Sequence, residues 1–272
     1  MILRSITITS LALAAVTLLS GSVLAAVLVF IGSWLGLAAT AFAFLVVVSY
    51  LVDPDQEQED DDPFYRKVAN LYVEVLIMGL RAKVKAYGLE KTPKDGRFLL
   101  VCNHQFLADP GILLHYFRDS QLAFISKKEN RDMFCIGRIM HKILCQYIDR
   151  EDDRQALQVI LKCIRILKED KASIAVFPEG GTNHDELLHP FRPGVFKIAQ
   201  KAQVPIVVCT LRNTRPIVHN GLRLKPTDVE LKLLDVIPAE TLKGRTAVDI
   251  SEQVYKLMAD DLGPDMIAKE EE

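Results

Sequence analysis

FLLVCNHQFLADP, residues 98–110, passes from five unbroken apolar residues to Asn103, His104 and Asp109, and then to a proline. An apolar run without alternation is the mark of a strand buried on both faces, and the Asp109-Pro110 pair opens a helix. The same grammar recurs along the chain. Further strands are predicted at 122–126, 146–148, 173–177, 206–211 and 229–237. Amphipathic helices are predicted at 152–168, 195–202 and 247–262. In the first of these helices Val159, Leu161, Ile164 and Leu167 lie on one apolar stripe. Alternating strands and helices give an α/β fold, a mixed and largely parallel sheet covered by helices.

Polar residues gather where the predicted strands end. The first strand runs into Asn103 and His104, the third into Asp149 and Arg150, and the fourth into Pro178, Glu179, Gly180 and Gly181. Ligands of open α/β sheets bind at such strand ends, so three separated segments are expected to meet in one crevice.

The chain before this body has a different character. Residues 5–52 form 48 consecutive positions without Asp, Glu, Lys, Arg or His. A helix crosses hydrocarbon with about 20 apolar residues, so the stretch holds two crossings, or one crossing and a re-entrant segment. The break is expected at Gly32, Ser33, Trp34 and Gly36, giving helices at 8–31 and 37–52 with Trp34 in an interfacial turn. A cleaved signal peptide ending near Ala25 and Ala26 is the competing reading, although cleavage there leaves a second long apolar run. The organisation is then a membrane helical hairpin at 1–52, an acidic linker at 53–63 and a catalytic-sized domain at 64–272.

Charge follows the same partition. Residues 53–63 carry seven acidic and no basic groups, whereas 64–272 carry 32 basic and 28 acidic groups. Arg66, Lys67, Arg81, Lys83 and Lys85, interleaved with Val68, Leu71, Val75, Leu76 and Leu80, fit a second amphipathic region on anionic headgroups or a helix packed on the body. No dense basic stripe points to nucleic acid. Five scattered cysteines without a CxxC unit read as buried thiols of a reducing compartment.

Two motifs carry chemistry. In NHQFLAD, Asp109 can orient one imidazole nitrogen of His104 while the other removes a proton from a hydroxyl; the bland alternative is a helix cap beside an ordinary histidine. In FPEGG, residues 177–181, the glycines allow backbone amides to approach an oxyanion or phosphate, and Glu179 can accept a hydroxyl hydrogen bond or organise the turn. No GxxxxGK loop accompanies it, against a nucleoside triphosphatase. His184, Asp185 and His189 raise a metal site without supplying a coherent ligand set. His115, His141 and His219 read as surface or packing residues.

NHQFLAD, IDR at 148–150, FPEG at 177–180 and VPIVVCTL at 204–211 stand in the order and spacing of the four blocks of the glycerolipid acyltransferase superfamily. The chain resembles that family, which includes the 1-acyl-sn-glycerol-3-phosphate acyltransferases, over residues 97–215, and FRPG at 191–194 is also family-like. The resemblance implies a glycerol-3-phosphate acyltransferase-like fold. It also implies acyl transfer from acyl-CoA or acyl carrier protein to the sn-2 hydroxyl of a lysophosphatidic acid, in phospholipid biosynthesis at the cytoplasmic side of the cell membrane. By that resemblance His104 is the general base and Asp109 its partner, Arg150 contacts phosphate, and Glu179 and Gly180 bind the acceptor. Asn103, Lys127, Gly181, Thr182 and Arg192 complete the expected substrate contacts, with no metal or cofactor. One departure concerns the acceptor. Relatives often continue FPEG with Thr and Arg, whereas this chain has Gly181, Thr182 and Asn183, and Arg150, Lys127, Lys128 and Arg192 are the candidates to supply the charge instead. Another lysophospholipid or glycerol 3-phosphate is the alternative acceptor; a hydrolase and a membrane lipid-binding protein are the alternative functions.

Overall fold

The computed structural model describes residues 2–182 and 185–268. Its elements are α1 (Ile2–Leu18), α2 (Val23–Tyr50), α3 (Pro63–Gly79), β1 (Ala82–Tyr87), β2 (Leu99–Cys102), α4 (Asp109–Tyr116), β3 (Leu122–Lys127), α5 (Ile136–Lys142), β4 (Gln146–Ile148), α6 (Asp153–Lys168), β5 (Ser173–Val176), α7 (Lys197–Ala202), β6 (Ile206–Arg212), α8 (Ile217–Leu222), β7 (Thr227–Ile237) and α9 (Ala247–Leu262).

The apolar runs build a seven-stranded sheet of order β1-β7-β6-β2-β5-β3-β4. From β6 to β4 all neighbours are parallel; β7 pairs antiparallel with β6, and β1 runs parallel to β7. Successive residues of β2 feed opposite cores. Leu100 and Cys102 join the layer formed with α3, α4 and α5, while Leu99 and Val101 join the layer of α6, α7 and α9. Burial on both faces explains why these strands read as unbroken apolar runs.

β1 was not expected. Lys83, Lys85 and Tyr87 point outward while Ala82, Val84 and Ala86 pack on the core, the alternation of an edge strand covered on one face. Of the two readings of this region, the helix packed on the body holds for α3, while Lys83 and Lys85 lie on a strand and Arg81 in the turn before it. On α3, Arg66 is buried, giving hydrogen bonds to the Leu122 and Ile143 carbonyls and an ion pair to Asp61 at 2.7 Å. The 195–202 helix also differs, being a 3-10 turn over Pro193–Phe196 that continues into α7.

The N-terminal break lies elsewhere than expected. Gly21, at φ 82°, turns the chain, and the Ser22 hydroxyl caps α2 by accepting from the Ala25 amide. Gly32 and Gly36 lie inside α2, where the Ser33 hydroxyl donates back to the Val29 carbonyl instead of capping a new helix. Trp34 consequently sits in mid-helix, its indole N–H donating to Thr7 Oγ1 of α1 at 3.3 Å. Helix α2 is long and apolar enough to cross a membrane, and only Ala26, Val48 and Ser49 along it are buried.

The acidic segment between α2 and α3 lies along the basic side of the body. Asp55 pairs with Arg131, Glu59 with Arg165 at 3.2 Å, and Asp60 with Lys171 at 3.1 Å. Tyr65 and Tyr72 of α3 donate to the Val48 and Ala41 carbonyls, so α3 runs antiparallel to the last part of α2. All five cysteines are free and buried. Burial pushes the Cys145 and Cys163 thiols up to about 11 and about 12.

Candidate active site

The site begins where β2 ends. Asn103 is buried and braces the junction: its Nδ2 donates to the Leu211 carbonyl, and its Oδ1 accepts from the Leu211 amide at 2.8 Å. Expected to touch substrate, its side chain is spent on tying β2 to β6. The next residue, His104, is thereby fixed at the strand end.

His104 and Asp109 are brought together. The imidazole Nδ1 lies 2.8 Å from Asp109 Oδ2, which also accepts from the Gln105 and Phe106 amides at 2.7 and 2.8 Å. Five residues separate the pair because the intervening turn folds back onto the first carboxylate of α4, where the positive end of the helix also favours negative charge. Three donors on one oxygen hold Asp109 as an acceptor, so Nδ1 carries the hydrogen and the lone pair resides on Nε2. That lone pair faces the Thr182 hydroxyl at 2.8 Å. The imidazole stacks on Phe177 with ring centroids 4.1 Å apart and planes inclined by 18°.

Glu179 joins the second motif to the first. Its Oε1 accepts from the His104 amide at 2.8 Å and its Oε2 from the His189 amide at 3.1 Å. Burial pushes its carboxyl up to about 7, outweighing the two amide bonds that favour the ionised form. Glu179 thus organises the turn through the backbone.

Two guanidiniums lie against the glycine turn. Gly180 has φ 82°, and a Cβ there would come within 2.6 Å of Arg192 Nε; a Cβ on Gly181 would lie 3.5 Å from Arg150 Nη1. Burial, and after it the charge of Arg192, pushes the Arg150 guanidinium below its ordinary range. Among the described residues neither arginine forms an ion pair, so two like charges stand beside one glycine turn. Lys127 is exposed at the end of β3, and Lys128 is already paired with Asp149 at 2.7 Å. Asn183 and His184 lie outside the described residues; His189 meets Asp185 at 2.9 Å.

Sequence reasoning missed Phe177 as the platform under the imidazole and Gln105 as a tie across the mouth. Buried Gln105 accepts from the Thr214 amide at 3.4 Å. A polar glutamine inside an apolar turn was a signal for the second; nothing local marked the first, since Phe177 reads as the last strand residue.

The family model described as Acyltransferase matches residues 83–212, which enclose these segments. A putative 1-acyl-sn-glycerol-3-phosphate acyltransferase, acl-2, of Caenorhabditis elegans is 29% identical over 169 residues, covering 61% of this chain and 58% of that protein. A probable 1-acyl-sn-glycerol-3-phosphate acyltransferase of Mycoplasma pneumoniae is 32% identical over 170 residues, covering 61% and 62%. The chain thus spans about three fifths of the length of these curated relatives. Its fold is shared with the crystal structure of the 1-acyl-sn-glycerophosphate (LPA) acyltransferase PlsC from Thermotoga maritima, at TM-score 0.63 and 22% identity, over 81% of this chain and 86% of that one.

Proposed function

We propose that the chain is a member of the acyltransferase family whose model it matches over residues 83–212, and that it transfers a fatty acyl group from a thioester, acyl-CoA or acyl carrier protein, to the sn-2 hydroxyl of 1-acyl-sn-glycerol 3-phosphate, forming phosphatidic acid. The observation that carries the reading is the imidazole held at Nδ1 by a buried carboxylate while Nε2 meets a hydroxyl at 2.8 Å. In the reaction the acceptor hydroxyl takes the place of Thr182 at Nε2. Its oxygen attacks the thioester carbonyl as His104 accepts its proton. The tetrahedral oxyanion collapses, the C–S bond breaks, and the imidazolium returns the proton to the departing thiolate. Positioning of two bound substrates suffices, without a covalent acyl-enzyme.

Arg150 and Arg192 hold the acceptor phosphate in this scheme, replacing the arginine that relatives carry after the FPEG block. The Gly180 amide already donates to the Phe177 carbonyl at 3.1 Å, which leaves the Gly181 amide of this turn for the oxyanion. The enzyme resides in the cell membrane through its N-terminal hairpin, with the body on the cytoplasmic side where soluble thioesters are available.

The test is product detection by mass spectrometry with purified protein in detergent micelles. Both thioester donors are offered against lysophosphatidic acid, other lysophospholipids and glycerol 3-phosphate, with His104→Ala in parallel. Phosphatidic acid formed by the unmutated chain and absent with His104→Ala is the expected result. Preference for another acceptor overturns the acceptor assignment, and free fatty acid without acyl transfer replaces the transferase by a hydrolase.

A further inference from the structure

The segment that joins β6 to β7, NTRPIVHNGLRLKPT at 213–227, combines exposed apolar side chains with cations. It contains Arg215, His219, Arg223 and Lys225 and no carboxylate. Leu222 and Leu224 are 79% and 73% exposed, and Val218 is also exposed. Arg215 meets Glu186 at 3.5 Å, whereas Arg223 and Lys225 have no ion-pair partner among the described residues. Two protruding leucines alternating with two unpaired cations have no internal packing role.

Its place in the fold supplies the occupant. Because Tyr65 reaches Val48 and Tyr72 reaches Ala41, α2 leaves the body beyond the C-terminal end of α3. By that register the end of α3 at Gly79 lies level with Trp34, so the part of α2 that projects beyond it, residues 23–33, is about 16 Å long, close to the hydrocarbon thickness of one leaflet, and α1 returns along it. At that same end of α3, α8 packs so closely on the Leu80 cap that a Cβ on Gly221 would lie 2.9 Å from the Leu80 Cα. Thr214, just before α8, is tied to Gln105 of the histidine turn, whose neighbour Leu107 is 63% exposed. The projecting hairpin, the leucine-cation segment and the rim of the histidine turn therefore share one side of the molecule.

We propose that residues 215–226 form a second membrane contact, inserting Leu222 and Leu224 at the headgroup boundary of an anionic bilayer while Arg223 and Lys225 pair with lipid phosphates. This inference rests on the reading that the hairpin enters the membrane. Apolar side chains beside unpaired cations match an anionic interface, and the surface is continuous with the hairpin exit. The hairpin fixes the body to the membrane at one point; the second contact fixes its rotation. The mouth beside Gln105 and Leu107 is then held against the layer in which a lysolipid acceptor resides.

The chain's single tryptophan, Trp34, lies in the hairpin and supplies an internal control. In the full chain, quenching of Trp34 by brominated-acyl phosphatidylcholine reports hairpin insertion. A Trp34→Phe/Leu222→Trp variant reports the proposed contact in the same vesicles, with and without phosphatidylglycerol. Quenching of both probes, with the Leu222→Trp signal stronger on phosphatidylglycerol, is expected. Quenching of Trp34 alone overturns the second contact and leaves the hairpin reading standing. Absence of quenching at both positions overturns the hairpin reading and this proposal together. As a second measurement, Arg223→Glu/Lys225→Glu is expected to raise the apparent KM for vesicle-borne acceptor by about tenfold or more, with turnover in micelles unchanged. An unchanged vesicle KM overturns the role of the cations.

Discussion

Replacing Asp109 by asparagine preserves shape and removes one charge from the centre of the site. The asparagine carbonyl can still accept from the Gln105 and Phe106 amides and from His104 Nδ1, so the turn and the tautomer persist. What disappears is the attraction between the carboxylate and the imidazolium formed as His104 takes the acceptor proton. Asp109 is fully buried and the His104 side chain is 14% exposed, so an intermediate dielectric applies. Unit charges about 4 Å apart at an effective dielectric of about 20 attract by about 4 kcal/mol, which is about a thousandfold in rate. The new amide NH2 takes the position of Asp109 Oδ1, a buried atom without a hydrogen-bond partner, at a cost of about 1–3 kcal/mol in stability. The assay is kcat for acyl transfer in micelles, with circular dichroism and thermal unfolding of the same sample. A folded Asp109→Asn protein with kcat reduced about a thousandfold and KM nearly unchanged is expected. A folded variant within tenfold of the unmutated kcat would refute the reasoning and reduce Asp109 to a cap of its turn.

Arg150→Ala and Arg192→Ala should each raise the KM for a phosphate-bearing acceptor by about ten- to a hundredfold in steady-state kinetics, with smaller effects on kcat, because each removes a charge-assisted contact of about 1.5–3 kcal/mol. Glu179 predicts a pH effect on stability. Its folded carboxyl titrates near 7 against an ordinary value of 4.5, so between those pH values the folded chain retains a proton that the unfolded chain has lost. Stability must therefore fall as pH rises through that window, by about 3 kcal/mol for this group, and denaturant titrations of Glu179→Gln should lack that component; an opposite slope would remove the assignment. Asp61→Asn leaves Arg66 without its charge partner beneath the surface and should lower unfolding free energy by about 3–5 kcal/mol, measured by denaturation in micelles.

Strands buried on both faces were legible in the sequence because nothing but apolar residues suits them, and Leu99–Cys102 and Ile206–Arg212 lie close to their expected bounds. β1 was hidden because an edge strand exposes alternate residues, and lysines at 83 and 85 resemble the polar side of a helix as readily as that of a strand. The hairpin break was misread for a related reason. Gly32, Ser33, Trp34 and Gly36 cluster there, yet each keeps its backbone N–H, so α2 continues through them, whereas Gly21 adopts the positive φ that reverses the chain.

By itself the sequence determined the alternating α/β layers and the apolar N-terminal segment, since each depends on residue type and short spacing, whereas the His104 and Asp109 pair was legible only through the resemblance of four ordered blocks to the acyltransferases. Only the tertiary structure decided that Phe177 lies under the imidazole, that the Thr182 hydroxyl meets Nε2, and that Asn103 is consumed by Leu211. It also brought Arg150 and Arg192, 42 positions apart in the chain, to one glycine turn. These contacts join strand ends far apart in sequence, and their partners are set by strand order and close packing, which local patterns do not encode.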